Sequence, residues 1–70
     1  MTCEEEARRY IEAIDKLWDL NVNPRRALRD LELMARDRDP RLPEALKAYI
    51  ELRRARRALL RCALRAYRGE

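Results

Sequence analysis

The chain has 70 residues, of which 47% are hydrophobic and 43% are charged, and it contains one glycine, three prolines and no histidine. Seventeen basic and 13 acidic residues give a formal charge of +4, and no apolar run of about 18 residues is present to span a bilayer. This composition favours helices over disorder, in one domain covering residues 1–70. A domain this small is expected to need a disulfide, an oligomer interface or very regular helix packing.

The first predicted helix covers about residues 2–20. Thr2 and Glu5 have the spacing of a capping box, and Asn21 is suited to the left-handed conformation that closes a helix. The start of the chain, MTCEEEARRY, is acidic and unlike a signal peptide, so we expect no targeting segment and leave localisation open. Apolar residues recur every three or four positions, which predicts one buried face: Cys3, Ala7, Tyr10, Ile14 and Leu17, flanked by Ile11 and Trp18.

The second predicted helix covers about residues 24–37 and is short. Asn23 is a favourable N-cap, and Pro24 stands at the first helical position, where its missing N–H has little cost. A helix of about 14 residues is marginal unless it is packed, so we expect it to lie across one end of the other two. Its predicted buried face comprises Ala27, Leu28, Leu31, Met34 and Ala35.

The third predicted helix covers about residues 40–68, with a tightened first turn at Leu42 and Pro43 after an Asp39-Pro40 start signal. Leu46 and Ile50 form a second flank that the second helix is expected to cover. Arg56 falls almost on the core face, and its partner is left open. The residues predicted to face the first helix are mostly small: Ala45, Ala48, Leu52, Ala55, Leu59, Cys62, Ala63 and Ala66.

Charge is divided unevenly along the chain. Residues 2–20 carry three bases and six acids, whereas residues 43–68 carry eight bases and two acids. We expect Glu4, Glu5 and Glu6 to lie near Arg61, Arg65 and Arg68 if these two helices are antiparallel. Within single helices, four pairs have the favourable acid-before-base spacing, which is worth about 0.2–0.5 kcal/mol each: Glu4/Arg8, Glu5/Arg9, Glu12/Lys16 and Glu32/Arg36.

The two cysteines are interpreted as a disulfide between Cys3 and Cys62. Parallel packing of the first and third helices would separate the two by about 30 Å, whereas antiparallel packing aligns them and matches both helix ends. Two free buried thiols or an intermolecular bond are the alternatives. Two cysteines without histidine do not complete a zinc shell or a catalytic thiol, so we predict no metal, no cofactor, no catalytic residue and no small-molecule substrate.

The whole chain resembles a de novo designed helical mini-protein. The segments TCEEEARRYIEAI and NVNPRRALRDLELMARDRDPRLPEALKAYIELRRARRALLR combine regular caps, charge pairs and proline boundaries, as in sequences written onto an idealised backbone. The resemblance implies an all-α fold of three helices and a non-enzymatic role as a scaffold or binder. A small natural helical protein from a high-GC organism or a phage is the alternative.

A candidate partner-binding face lies on the C-terminal half of the third helix. Leu60, Leu64 and Tyr67 are rimmed by Arg57, Arg61 and Arg68, beyond the expected reach of the second helix. Such residues are typical anchors for a partner protein or a second copy, although a slanting second helix or arginine stems would also cover them.

Nucleic-acid binding is the competing function, which the acidic first helix disfavours. A membrane-surface role is disfavoured because the apolar face is committed to the first helix.

Overall fold

The computed structural model describes residues 2–69 and contains three α-helices. Helix α1 spans Glu4–Asp19, α2 spans Ala27–Arg36, and α3 spans Leu42–Arg68. A short 3₁₀ helix, Pro24–Arg26, leads directly into α2. The predicted all-α, three-helix fold is confirmed, and no helix within the described residues is long and apolar enough to cross a membrane.

The N-terminus of α1 differs from the predicted capping box. Cys3 is the N-cap residue, and no side-chain hydrogen bond caps the helix. The Glu5 carboxylate instead accepts hydrogen bonds from Arg8 at 2.7 and 2.8 Å and from Arg9 at 3.2 Å. The Arg8 guanidinium lowers the pKa of Glu5. The capping-box prediction for Thr2 and Glu5 is therefore wrong, because the arginines one turn further on engage the glutamate.

The C-terminus of α1 closes as predicted, with Asn21 in the left-handed region at φ 62°. The Val22 N–H donates to the Leu17 carbonyl at 2.8 Å, and the Asn21 N–H donates to the Trp18 carbonyl at 2.9 Å. These two bonds form a Schellman motif, in which an apolar contact between its ends is usual. Leu17 and Val22 supply those ends, and both are completely buried.

Two hydrogen bonds of Asn23, one through its side chain and one through its backbone N–H, stabilise the beginning of the second helix. The Asn23 Oδ1 accepts from the Arg25 N–H at 2.9 Å, while the Asn23 N–H donates to Asp30 Oδ2 at 2.9 Å. The predicted cap at Asn23 is confirmed, although the first turn is a 3₁₀ helix rather than an α-helix. The predicted boundaries of residues 24–37 thus enclose the 3₁₀ turn and α2 together.

Asp39 organises the turn before α3, which begins at Leu42 rather than near residue 40. Its Oδ1 accepts from the Arg41 N–H at 2.9 Å, and its Oδ2 accepts from the Arg41 side chain at 2.7 Å. The Arg41 guanidinium also donates to the Leu20 carbonyl at 3.2 Å, which ties this turn to the end of α1. These bonds from Arg41 lower the pKa of Asp39 to about 2.

Helices α1 and α3 pack side by side in the antiparallel sense. Cys3 lies beside Cys62, Lys16 beside Glu51, and Leu20 beside Arg41, so the residue number falls along α3 as it rises along α1. Small side chains lie buried in the contact between the two helices, among them Ala13 of α1 and Ala48 of α3. Because these side chains are short, the two helices can approach closely. The core consists mainly of Ala13, Leu17, Val22, Ala27, Leu31, Met34, Ala45, Ala48 and Leu52.

The prediction that the second helix packs over Leu46 and Ile50 is wrong, because these side chains are 44% and 50% exposed. Tyr49 is packed against the core in their place. Tyr49 lies about 60° around α3 from Leu52, whereas Leu46 and Ile50 lie at about 120° and 160°. The 3₁₀ helix and α2 thus pack nearer the α1 side of α3 than the sequence indicated. Other residues assigned to buried faces are also exposed: Leu28, Ala35, Ala63 and Ala66.

Candidate partner-binding face

A disulfide joins the start of α1 to α3, as predicted. The Cα atoms of Cys3 and Cys62 are 5.9 Å apart, and the bond links positions separated by 59 residues. Both cysteines are half-buried. Because α1 begins at Glu4, the last turns of α3 extend beyond the end of the helix pair. This arrangement explains why Ala63 and Ala66, assigned to the α1-facing side, are exposed.

The predicted face on α3 is open to solvent. Leu60, Leu64 and Tyr67 are 60%, 48% and 90% exposed, and Arg57 and Arg61 are also exposed. None of these side chains belongs to the core or to the residues packed against it. The expectation that the short second helix would not cover them is thereby confirmed. Partner binding at the face itself stays a prediction.

Beside this face, a groove opens between α1, the 3₁₀ helix and the middle of α3. Its volume is about 750 Å³. From α1 it is lined by Tyr10, Ile14 and Trp18, and from α3 by Leu52 and Arg56. Residues 23–25, at the start of the 3₁₀ helix, also line the groove. Trp18 is 54% exposed, so a large apolar surface is available there.

The groove and part of the α3 face lie on the same side of the helix pair. Around α3, Leu60 and Tyr67 lie at about 80° and 60° from Leu52, close to the direction of Tyr49, which packs toward α2. Leu60 and Tyr67 thus lie along the direction of α2, beyond its N-terminal end and the 3₁₀ helix that precedes it. The result is an open position, next to α1 and α3, where a longer α2 would have been. We call this position the third-helix slot, because an additional helix could lie there beside α1 and α3. It is defined by Tyr10, Ile14, Trp18, Arg56, Leu60 and Tyr67.

Sequence analysis missed the part of the slot that α1 contributes. Trp18 and Ile11 were identified only as flanks of a buried stripe, yet Ile11 is 56% exposed. The available signal was length: a second helix of ten residues cannot cover an apolar flank that continues along all of α1. Arg56, whose position was left open, stands at the rim of the groove and has no ion-pair partner among residues 2–69.

The arginines of α3 are not neutralised by the glutamates of α1. Within residues 2–69, the one ion pair between the two helices joins Lys16 to Glu51 at 3.4 Å. Glu4, Glu5 and Glu6 were expected near Arg61, Arg65 and Arg68, and among the described residues no ion pair joins the two groups. Each of the seven α3 arginines lacks an ion-pair partner among the described residues: Arg53, Arg54, Arg56, Arg57, Arg61, Arg65 and Arg68.

The acids of α1 make mainly local pairs, which leaves the α3 arginines to solvent. Of the four predicted helical pairs, Glu5/Arg9 and Glu32/Arg36 are present, at 3.2 and 3.4 Å. The other two are replaced because Arg8 contacts Glu5 at 2.7 Å and Glu12 at 3.8 Å, while Lys16 turns toward α3. The outer side of α3 consequently carries exposed arginines together with the exposed side chains of Leu46, Ile50 and Leu64.

One group of potential metal ligands forms at the disulfide end. Cys3, Glu6 and Cys62 place their candidate ligand atoms within 4.8 Å of one another, and all three residues are half-buried. The two cysteines alone do not indicate a metal site in the sequence. Glu6 lies one turn after Cys3, so packing against α3 adds a third potential ligand, a carboxylate, to the two cysteines.

Comparisons with protein-family models, curated proteins and solved structures find no match to this chain.

Proposed function

We propose that the chain is a designed, non-enzymatic helical mini-protein that serves as a protein-binding scaffold. Its contact face comprises Arg57, Leu60, Arg61, Leu64 and Tyr67. The observation that carries the proposal is the exposure of Leu60, Leu64 and Tyr67, at 60%, 48% and 90%, on a helix that a core and a disulfide join to α1. Tyrosine and arginine are enriched among residues that dominate binding energy, and leucines between them supply apolar area.

The preferred partner is an amphipathic helix with acidic flanks. The α3 part of the third-helix slot runs from Arg56 to about Arg68, a length of about 18 Å. The α1 part adds about 12 Å, because the pairing of Cys3 with Cys62 sets Trp18 level with about residue 47 of α3. The whole slot therefore matches a helix of about 20 residues. An apolar stripe on that helix would cover Leu60, Tyr67 and the exposed ring of Trp18. Acidic side chains on its α3 side would meet unpaired arginines, which speeds encounter and sets orientation more than it raises affinity.

Trp18 is a built-in reporter for this binding, because it is the one tryptophan of the chain and it lines the groove. The probe is a synthetic helical peptide with a leucine stripe flanked by glutamates, titrated while Trp18 emission is recorded. We expect a blue shift on binding, weakened by salt. A matched peptide with lysines replacing the glutamates should bind at least about tenfold more weakly, because it repels the arginines.

The controls separate the slot from the rest of the surface. Leu60→Glu should abolish the emission change, whereas Leu33→Glu on the exposed side of α2 should leave it unaltered. Light scattering across concentration tests a second copy as the occupant: self-association lost in Leu60→Glu would replace the acidic helix with a homodimer. Absence of binding by either peptide, together with a monomer at all concentrations, would exclude a partner-binding role for the face.

Nucleic-acid binding is the second candidate, supported by the excess of basic over acidic residues in α3. Its seven arginines lie on one helix without ion-pair partners among the described residues. Such a surface would bind phosphates without sequence preference, and the affinity would fall steeply with salt. Fluorescence anisotropy with a random-sequence duplex tests it. Absence of binding at low salt would remove this candidate, and binding unaffected by Arg57→Glu and Arg61→Glu would separate it from the proposed face.

A further inference from the structure

The cluster formed by Cys3, Glu6 and Cys62 has the composition of an incomplete tetrahedral metal site. Cys3 is the N-cap of α1, Glu6 follows one turn later, and Cys62 approaches from α3. Their candidate ligand atoms all lie within 4.8 Å of one another. Ligands at about 2.0–2.3 Å from one ion lie no more than about 4.6 Å apart, so small side-chain rotations suffice to bring all three onto a common ion.

The backbone spacing also suits two thiolates on one ion. Tetrahedral coordination with a Zn–S distance of about 2.3 Å places the two sulfur atoms about 3.8 Å apart. The Cys3 and Cys62 Cα atoms are 5.9 Å apart in the disulfide form. Two side chains can therefore span an ion from this separation by rotating about their Cα–Cβ bonds, and the antiparallel helix pair need not move apart.

Neighbouring residues favour Glu6 over the other acids of the first turn. Glu5 is already engaged by Arg8 and Arg9, and Glu4 is exposed on the outside of the helix. Glu6 is half-buried and faces α3, where it shares a shallow cavity with Arg54 and Ala58. The N-terminal end of a helix also stabilises a thiolate over a thiol, which assists metal binding at Cys3.

We propose that the reduced protein binds one thiophilic divalent cation, Zn²⁺ or Cd²⁺, through the Cys3 and Cys62 thiolates and the Glu6 carboxylate, with water as the fourth ligand. A dithiol reductant first gives two electrons and two protons to the disulfide, which becomes two thiols while the reductant closes to its own cyclic disulfide. The cation then displaces both thiol protons into solvent. At this end of the molecule α1 and α3 are thus joined either by the disulfide or by the metal.

The test uses the full chain in reduced and oxidised forms, with Cd²⁺ as the probe. Reduced protein should develop the ultraviolet thiolate-to-cadmium charge-transfer band at one ion per chain and remain a monomer. Oxidised protein should show no band, because its sulfur atoms are bonded to each other. Zn²⁺ should compete for the same site, and either ion should raise the melting temperature of the reduced protein, since ligand binding to the folded state stabilises it.

Matched variants decide whether the carboxylate belongs to the site. Glu6→Gln should weaken Cd²⁺ binding to the reduced protein at least about tenfold, the loss that even outer-shell changes produce, whereas Glu4→Gln should have no effect. Equal affinity in these two variants would overturn the three-ligand site. A stoichiometry of one ion per two chains, or ion binding that leaves the melting temperature of the reduced protein unchanged, would also overturn it, because either result places the thiolates outside this folded cluster.

Discussion

The two ends of this elongated molecule are stabilised in different ways. At the end where the helices are connected by turns, three helices enclose a core in which Leu17 and Val22 are completely buried. At the opposite end only α1 and α3 are present, and a disulfide between Cys3 and Cys62 holds them. A covalent bond there replaces a third helix, which leaves Leu60 and Tyr67 uncovered. A 70-residue chain can thus bury a core at one end and leave large apolar side chains exposed at the other.

The largest effect is expected from breaking the three-helix end. Leu17 has no exposed surface and also forms the apolar contact of the Schellman motif with Val22. Leu17→Ala should lower the free energy of unfolding by about 2–5 kcal/mol, the range for buried leucine truncations. Chemical denaturation measures this loss. The matched control is Leu33→Ala, at a leucine that is 44% exposed, and a loss there equal to that of Leu17→Ala would contradict the assignment of the core.

Removing the disulfide should have the next largest effect and should act mainly at the other end. The double substitution Cys3→Ala and Cys62→Ala opens a loop closed across 59 positions, which nominally lowers stability by about 2–4 kcal/mol. Hydrogen exchange should then speed up in residues 59–68 while Leu17 and Leu31 stay protected. Equal loss of protection at both ends would show that the two regions unfold as one unit.

A smaller change is expected from Asn23→Ala, which tests how α2 is attached to the three-helix end. The substitution removes the acceptor for the Arg25 N–H but keeps the backbone N–H that donates to Asp30. Loss of such a cap costs about 0.5–2 kcal/mol. Thermal unfolding measures the change, with Asn21→Ala as a comparison at the positive-φ site closing α1. An unchanged melting temperature for Asn23→Ala would show that packing alone positions the 3₁₀ helix.

Acid should weaken the three-helix end through Asp39. The pKa of Asp39 is lowered from 3.8 to about 2 by the Arg41 hydrogen bonds, so the folded state favours the ionised carboxyl. This contribution is fully present above about pH 4 and is lost as the pH falls toward 2. Asp39→Asn should flatten the fall in melting temperature between pH 4 and 2. Asp37→Asn is the matched control, at a carboxyl that has no Arg41 hydrogen bonds. Parallel pH profiles for wild type and Asp39→Asn would refute this role.

Much of the fold follows from local sequence signals, because caps and prolines act on their immediate neighbours. Asn21, Asn23 and Asp39 mark turns that the structure contains, and the Cys3–Cys62 pair fixes the orientation of α1 and α3. Interactions with several competing partners were not predictable. Glu5 had Thr2, Arg8 and Arg9 within reach, and side-chain geometry selected the arginines.

The face of α3 was predictable in part. Exposure of Leu60, Leu64 and Tyr67 followed from the shortness of the second helix. The exposure of Leu46 and Ile50 did not, because it depends on the direction in which that helix crosses α3. Glu6 beside the two cysteines likewise required the packed helices, since sequence spacing alone relates it only to Cys3.

The central claim is that the C-terminal half of α3 contributes a free surface rather than a core. The most direct measurement is the free energy of unfolding, from chemical denaturation, of the oxidised double variant Leu60→Glu and Leu64→Glu, with its monomeric state confirmed by light scattering. Because both side chains are exposed, the account predicts a free energy of unfolding close to that of the wild type, within about 0.5 kcal/mol per substitution. A loss of several kcal/mol in a monomer would show that these leucines belong to the core and would contradict the account.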